Sequence, residues 1–221
     1  MTPDIFYKII TEYSKDNYIE AIIIGAMDGV SHDNIKDFTD NQNWKFLFVE
    51  PVKVHLDKLK ENFGKSDRFF YLNKAISDTN EMKKFIMFDP EKIDGTIVNL
   101  GMAGLTTIYP PKNCMKGFIT EQYEEYLQTV EFECIPVSEL LETSPLQNIN
   151  YLQIDTEGYD WMIFKQFDIS NINFIKIEHS SLTESERIHV VEKLQNNNFV
   201  LNKEYEDVYA IKREIVEQYG N

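Results

Sequence analysis

Positive charge is scarce in this chain of 221 residues: 22 Lys and Arg stand against 37 Asp and Glu, a net charge of −15. A nucleic-acid binder draws much of its affinity from Lys and Arg that displace counterions from phosphates. No such footprint exists at the whole-chain level, so neither nucleic acid nor an anionic membrane surface is expected as a partner. Long apolar runs are missing too. No stretch of roughly 18 apolar residues occurs, so no membrane-spanning helix is expected. Residues 1–16 mix charges into an apolar face and do not read as a signal peptide. Cysteine is nearly absent. Cys114 and Cys134 are the only two and fit no metal or redox spacing, which points to a reducing, cytoplasmic setting.

What the chain does have is material for a core, with 43% hydrophobic and 13% aromatic residues. This excludes global disorder and suits one α/β domain over residues 1–221, with an elaboration rather than a second domain. Its charge is unevenly spread. Residues 117–164 contain no Lys or Arg but ten acids, from Glu121 to Asp160. Such a stretch reads either as a solvated acidic surface or as a site rim that disfavours anionic substrates.

Hydrophobic periodicity sets the order of elements. Ile5, Ile9 and Tyr13, with Phe6 and Ile10, recur at helical spacing, and Thr2-Pro3 is a start signal, giving a helix over about 3–14. Residues 21–24, 45–49 and 69–72 are short continuous apolar runs, the signature of strands buried on both faces. A short helix over 31–39 and one that opens with Pro51 and runs to 63 separate them. Residues 82–88 suggest an extra strand. A Gly-containing segment at about 90–118 looks like an insertion or lid, expected to be mobile without ligand and to order over the site. A short helix over 121–128 and an extended stretch over 130–136 follow. Alternation resumes with strands at 151–154 and 174–177, a helix at 159–166, and a Thr183/Glu186 capping box opening a helix to about 196. Two β segments, 199–205 and 208–212, close the chain as a hairpin. The expected architecture is α/β and doubly wound: a seven-stranded, mostly parallel sheet with an antiparallel closing hairpin.

Ligands of such sheets bind at the carboxyl ends of strands near the topological switch point. Four of those ends carry polar residues. The first is Gly25-Ala26-Met27-Asp28-Gly29, a sharp turn that lacks the glycines of a dinucleotide fingerprint and the G-K-S/T of a phosphate loop. The second is Glu50, 21 residues beyond Gly29, placed either to hydrogen-bond a ribose diol or to cap the helix ahead of Pro51. The third, Asp155-Thr156-Glu157-Gly158, reads as a helix cap or as two carboxylates over the crevice. The fourth is Glu178-His179, where the imidazole is a candidate general base or a structural histidine. Asp155, Glu178 and His179 together form a less favoured candidate set for a divalent cation. His32 is a weaker alternative base, and His55 and His189, within helices, are given no role.

In sequence order these segments resemble the FkbM-type methyltransferases, a branch of the Rossmann-like S-adenosylmethionine-dependent enzymes. Residues 22–29 resemble that family's glycine motif, and Phe48-Val49-Glu50-Pro51 its second-strand "FEP" motif. Residues 135–141 resemble its "V-x-x-L-D-E-L" segment, residues 152–160 its "L-K-I-D-x-E-G-x-E" motif, and Ile177-Glu178 its closing "I-x-E". The chain departs from the family pattern at Ile23, where an acid is usual, at Met27 in place of Asn, and at Gln153 in place of Lys. The resemblance implies a Rossmann-like fold and methyl transfer to a hydroxyl of a small-molecule or sugar acceptor. It implies S-adenosylmethionine held by Gly25, Ala26, Asp28, Gly29, Glu50 and Pro51, with adenine near Ala75, Ile76 and Ser77. Asp155, Glu157 and His179 then line the acceptor side, His179 being the expected base. Two alternatives stand beside this reading: a non-catalytic cofactor-binding relative, and a nicotinamide-dependent oxidoreductase.

Overall fold

A computed structural model describes residues 2–31, 35–93, 102, 104–108, 122–204 and 206–220. Most of the expected lid, together with His32 and Cys114, lies outside these residues. The first helix, α1 (Pro3–Asp16), starts as its sequence dictates, with the Thr2 hydroxyl accepting from the Ile5 amide and Pro3 in the first turn. Its buried face is Phe6, Ile9 and Ile10, whereas Ile5, expected on that face, is 43% exposed.

The sheet is built from β1 (Ile19–Ile24), β2 (Trp44–Val49), β3 (Phe69–Leu72), β8 (Ile149–Ile154), β9 (Phe174–Glu178), β10 (Phe199–Lys203) and β11 (Asp207–Lys212). Their spatial order is β10-β11-β9-β8-β1-β2-β3. The five strands from β9 to β3 are parallel, and β11 runs antiparallel to both β9 and β10. This is the expected doubly wound sheet with its closing hairpin. The chain leaves β1 toward β2 on one side and returns to β8 on the other, so the switch point lies between β1 and β8. One face packs Ile22, Ile24, Leu152, Ile154 and Ile175 into a common core; the other packs Ile23, Phe46, Phe48, Tyr151 and Phe174 under α1.

Other elements depart from the sequence-based expectation, each for a local reason. Helix α2 is only Lys36–Thr39. Helix α3 (Lys53–Phe63) begins two residues after Pro51, because the Glu50 carboxylate takes the Val52 amide and makes Val52 the N-cap position. Residues 121–128 hold no α-helix among the described residues. A 3₁₀ turn at Glu124–Tyr126 leads directly into strand β7 (Leu127–Pro136). Here pairing overrides local helical pattern, since β7 aligns antiparallel with all of β5 (Glu81–Phe88). With β4 (Ala75–Ser77) and β6 (Thr106–Ile108) these strands form a second, four-stranded sheet in the order β4-β7-β5-β6. The sequence reading placed an extra strand and an extended stretch there without joining them.

Among the described residues the remaining α-helices are α4 (Val137–Thr143), α5 (Asp160–Phe164), α6 (Glu184–Asn196) and α7 (Arg213–Tyr219). At α6 the capping box is complete. Thr183 Oγ1 accepts from the Glu186 amide at 3.3 Å, and Glu186 Oε2 accepts from the Thr183 amide at 2.9 Å. Thr183→Ala is therefore expected to lower stability by about 1 kcal/mol, read as a reduced urea midpoint at unchanged slope. An unchanged midpoint would show that the box carries no net stability.

Candidate active site

The strand ends β1, β2, β8 and β9 converge on a cavity of about 510 Å³ at the switch point. Its floor is the turn after β1. Gly25 has φ +81°, and a Cβ built on it would lie 1.7 Å from the Asp155 carbonyl oxygen, so only glycine lets the two strand ends approach this closely. The Asp155 amide donates to the Ile24 carbonyl at 3.0 Å, and the Gly25 amide to the Val49 carbonyl at 3.0 Å. Met27, also at positive φ (46°), donates its amide to Glu50 Oε2 at 2.9 Å.

Glu50 is thus a double clamp. One oxygen holds the β1 turn and the other holds the start of α3 through the Val52 amide at 2.8 Å. Each oxygen keeps lone-pair capacity for another donor. Burial pushes the carboxyl up to about 7, against the pull of those two amides. Asp28, by contrast, turns inward on its own loop, accepting from the Val30 and Ser31 amides and the Ser31 hydroxyl. Burial opposes its ionisation, but the Ser31 and Val30 hydrogen bonds outweigh it and hold the carboxyl below the ordinary range.

The opposite wall is the turn between β8 and α5. Glu157 sits at φ 55° and Gly158 at φ 103°, folded around the fully buried Asp160. Asp160 accepts from the Thr156 amide at 2.8 Å and the Gly158 amide at 2.9 Å. The residue that organises this turn is therefore Asp160, and the helix-cap reading of Asp155 gives way to it. Asp155 faces the cavity. Burial drives its carboxyl well above the ordinary range, neighbouring Glu157, Asp160 and Glu178 add to the rise, and Lys176 opposes it. Asp160 is raised as well, by burial and by Glu178.

Of the residues expected to hold a cofactor, Gly25, Ala26, Glu50, Pro51, Ala75 and Ile76 line the cavity. Asp28, Gly29 and Ser77 do not: Asp28 caps its own loop, Gly29 lies against Phe63 and Leu59, and the Ser77 hydroxyl is spent on the Thr79 carbonyl. On the acceptor side Asp155, Glu157 and Glu178 line the cavity and His179 does not. Its Nε2 lies 3.0 Å from the Glu204 carbonyl, and its amide donates to Glu206, tying it to the closing hairpin. No group of three or more His, Cys, Asp or Glu suited to a metal ion exists among the described residues, so Asp155, Glu178 and His179 do not form one.

Several lining residues were not anticipated. Lys74 precedes β4, Phe85 and Thr106 come from the second sheet, and Lys176, Glu206 and Asp207 come from β9 and the hairpin. A lysine inside the apolar run Phe174-Ile175-Lys176-Ile177 was the one visible signal. Three lining residues hold buried polar atoms without a hydrogen-bond partner among the described residues: Thr106 Oγ1, Thr156 Oγ1 and Glu178 Oε2. Buried polar atoms are normally satisfied, so these three are acceptors or donors that a polar occupant of the cavity can engage. The lining carries six acids, Glu50, Asp155, Glu157, Glu178, Glu206 and Asp207, against Lys74 and Lys176. That balance suits a cationic ligand, and the cavity volume suits a cofactor-sized one.

These features define a Rossmann-like α/β protein with a ligand crevice at its switch point. The model of the FkbM methyltransferase domain matches residues 24–201, and the chain belongs to that family. Among solved structures it is similar to the FkbM methyltransferase from Methylobacillus flagellatus KT, with a TM-score of 0.52 and 11% identity over 87% of this chain. The chain spans 43% of the length of that protein. Weaker likenesses include a precorrin-6y C5,15-methyltransferase from Geobacter metallireducens GS-15, at TM-score 0.43 and 11% identity, covering 96% of this chain and 87% of that one. Another is TrmK of M. capricolum in complex with S-adenosyl-homocysteine, at TM-score 0.41 and 11% identity, covering 96% of this chain and 67% of that one. Comparison with curated protein sequences gives no match. No helix among the described residues is long and apolar enough to cross a membrane.

Proposed function

We propose that this chain is a single-domain, S-adenosylmethionine-dependent O-methyltransferase acting on a hydroxyl of a small molecule or sugar. The observation that supports this most is the Glu50 clamp. A carboxylate at the end of β2 fixes the glycine turn at the end of β1, and both open into one acidic cavity at the switch point. Gly25 and Ala26 would lie along the cofactor's methionine portion, Glu50 would accept from its ribose, and Ala75 and Ile76 would flank adenine. When bound, the cofactor supplies a methyl group already activated on a sulfonium. The protein's part is then positioning, exclusion of water and acceptance of one proton. Asp155 is the group best placed for that proton: it lines the cavity, and a carboxyl raised above its ordinary range by burial is, once ionised, a stronger base than an ordinary one. Glu157 lines the same side. His179, held by the hairpin, acts in this reading only through the backbone it anchors.

The buried, unpaired Cys134 is consistent with a reducing cytoplasmic setting, and the net charge with an acceptor that is neither nucleic acid nor membrane lipid. Titration calorimetry tests the cofactor class: S-adenosylmethionine and S-adenosylhomocysteine should bind and NAD should not. Binding of NAD alone would overturn the proposal. Transfer of labelled methyl to members of a sugar and polyol panel then separates an enzyme from a silent binder.

A further inference from the structure

The acceptor side of the cavity contains a charge arrangement that the reaction outlined above does not explain. The β8–β9 register pairs Ile154 with Ile177, so Asp155 continues it beside Glu178, and β11 pairs Asp207 with Glu178. Three carboxylates therefore stand in a row along the edge of three adjacent strands. Lys176 lies two residues before Glu178 on β9, hence on the same face of the sheet and one pleat below the row. It is 5% exposed, as is Glu178, and its Nζ lies 3.5 Å from Asp207 Oδ2. A buried lysine keeps its place only if charges of opposite sign compensate its desolvation.

We propose that Lys176 is a positioning residue of the acceptor site: seated one pleat below the row of Asp155, Glu178 and Asp207 and paired with Asp207, its ammonium offsets part of the repulsion along that row and so governs how readily Asp155 ionises to take the acceptor's hydroxyl proton. This rests on the reading of the cavity as the methyl-transfer site. The alternative state is the default without the lysine. Asp155 is faced by Glu157 and Asp160 from its own turn and by Glu178 from β9, and Asp207 and Glu206 line the same cavity. The β1 turn offers no charged side chain to the lining, β6 offers Thr106, and Glu50 and Lys74 lie at the β2 and β4 ends. Burial and acidic neighbours alike favour a protonated, inert Asp155, and Lys176 opposes them. Lys176 is the cation of β9 that makes one of these acids available for proton transfer.

The test needs no acceptor. Carboxyl ¹³C resonances of aspartate are followed against pH in the full chain, with Asp155 assigned by its loss in Asp155→Asn. In Lys176→Met the Asp155 midpoint should rise by at least about one pH unit, and Lys176→Arg should restore it. Asp207→Asn should move the midpoint the other way, because it removes a negative neighbour and leaves more of the ammonium's field to Asp155. This second variant keeps the proposal testable if Lys176→Met does not fold. An Asp155 midpoint that stays put in Lys176→Met, or rises in Asp207→Asn, overturns it. Calorimetry with S-adenosylhomocysteine on the same samples reads the cofactor assignment separately. Lost binding in the wild type defeats the methyltransferase reading, whereas intact binding with an unmoved midpoint defeats only the role of Lys176.

Discussion

Gly25→Ala is expected to lose more stability than any other single-methyl addition in the glycine turn, by more than about 4 kcal/mol. Two costs add. The backbone there is left-handed, φ +81°, which penalises any side chain by about 1–2 kcal/mol. The added carbon would also lie 1.7 Å from the Asp155 carbonyl oxygen, a backbone atom that no side-chain rotation can move aside. Relief requires β1 and β8 to part, which breaks the bond from the Asp155 amide to the Ile24 carbonyl and opens the cavity at its floor. Domains of this size have total stabilities of about 5–15 kcal/mol, so the variant should be largely unfolded or unable to bind S-adenosylhomocysteine. Gly64 is the internal control. It has φ +72° and ψ −159°, a conformation open essentially only to glycine, but nothing within 4 Å of a Cβ, so Gly64→Ala should cost only the backbone strain of about 1–3 kcal/mol. Thermal melts of the two variants side by side decide the matter. Equal losses would mean that the close approach of Gly25 to Asp155 carries no energy.

The central strands were legible because a parallel strand buried on both faces has no alternation to hide in. Ile19–Ile24 is buried at all six positions, and Phe174–Glu178 at all five. The second sheet was not, because its strands change environment along their length. In β5 the first four residues are largely exposed and the last four buried, so the pattern follows neither helix nor strand. β4 is three residues long, too short to show any period. The same division holds in the cavity. The Gly25 turn, Glu50 and the Asp155–Glu157 segment carry their chemistry in contiguous residues. Asp207 and Glu206, by contrast, reach the cavity only because β11 returns antiparallel beside β9, and Thr106 only through the second sheet. His179 shows the limit of reading strand ends alone. The residue after a strand can belong to the loop that leaves the site, and here the hairpin carbonyl of Glu204 claims its ring.

Glu50 links stability, pH and cofactor binding in a way that a single substitution exposes. Its carboxyl has an ordinary value of 4.5 and is pushed up to about 7 in the fold by burial, the Val52 and Met27 amides pulling against it. The folded state therefore binds this proton more tightly than the unfolded state does. The stability it contributes is fully present below pH 4.5 and is lost as pH rises through 7, a loss of about 3 kcal/mol for the ligand-free protein. Asp155 and Asp160, also raised by burial first, act in the same direction from a lower starting point. Glu50→Gln removes the Glu50 contribution. The difference in unfolding free energy between wild type and variant should then vary with pH between 4.5 and 7 and level off above about pH 8. The amide brings its own cost, since one side-chain oxygen cannot replace both acceptors and the –NH₂ meets a backbone N–H. Cofactor binding should show the opposite pH trend. Ribose hydroxyls donate to the ionised carboxylate, so in the proposed role affinity for S-adenosylhomocysteine rises as pH passes 7 and binding releases a proton. That release is read as a dependence of the calorimetric heat on the buffer's ionisation enthalpy. Glu50→Gln should bind about 5- to 150-fold more weakly, the equivalent of 1–3 kcal/mol, and release no proton. A variant with unchanged affinity and unchanged proton release would remove Glu50 from the cofactor site and leave it only the structural task of holding Met27 and Val52 in place.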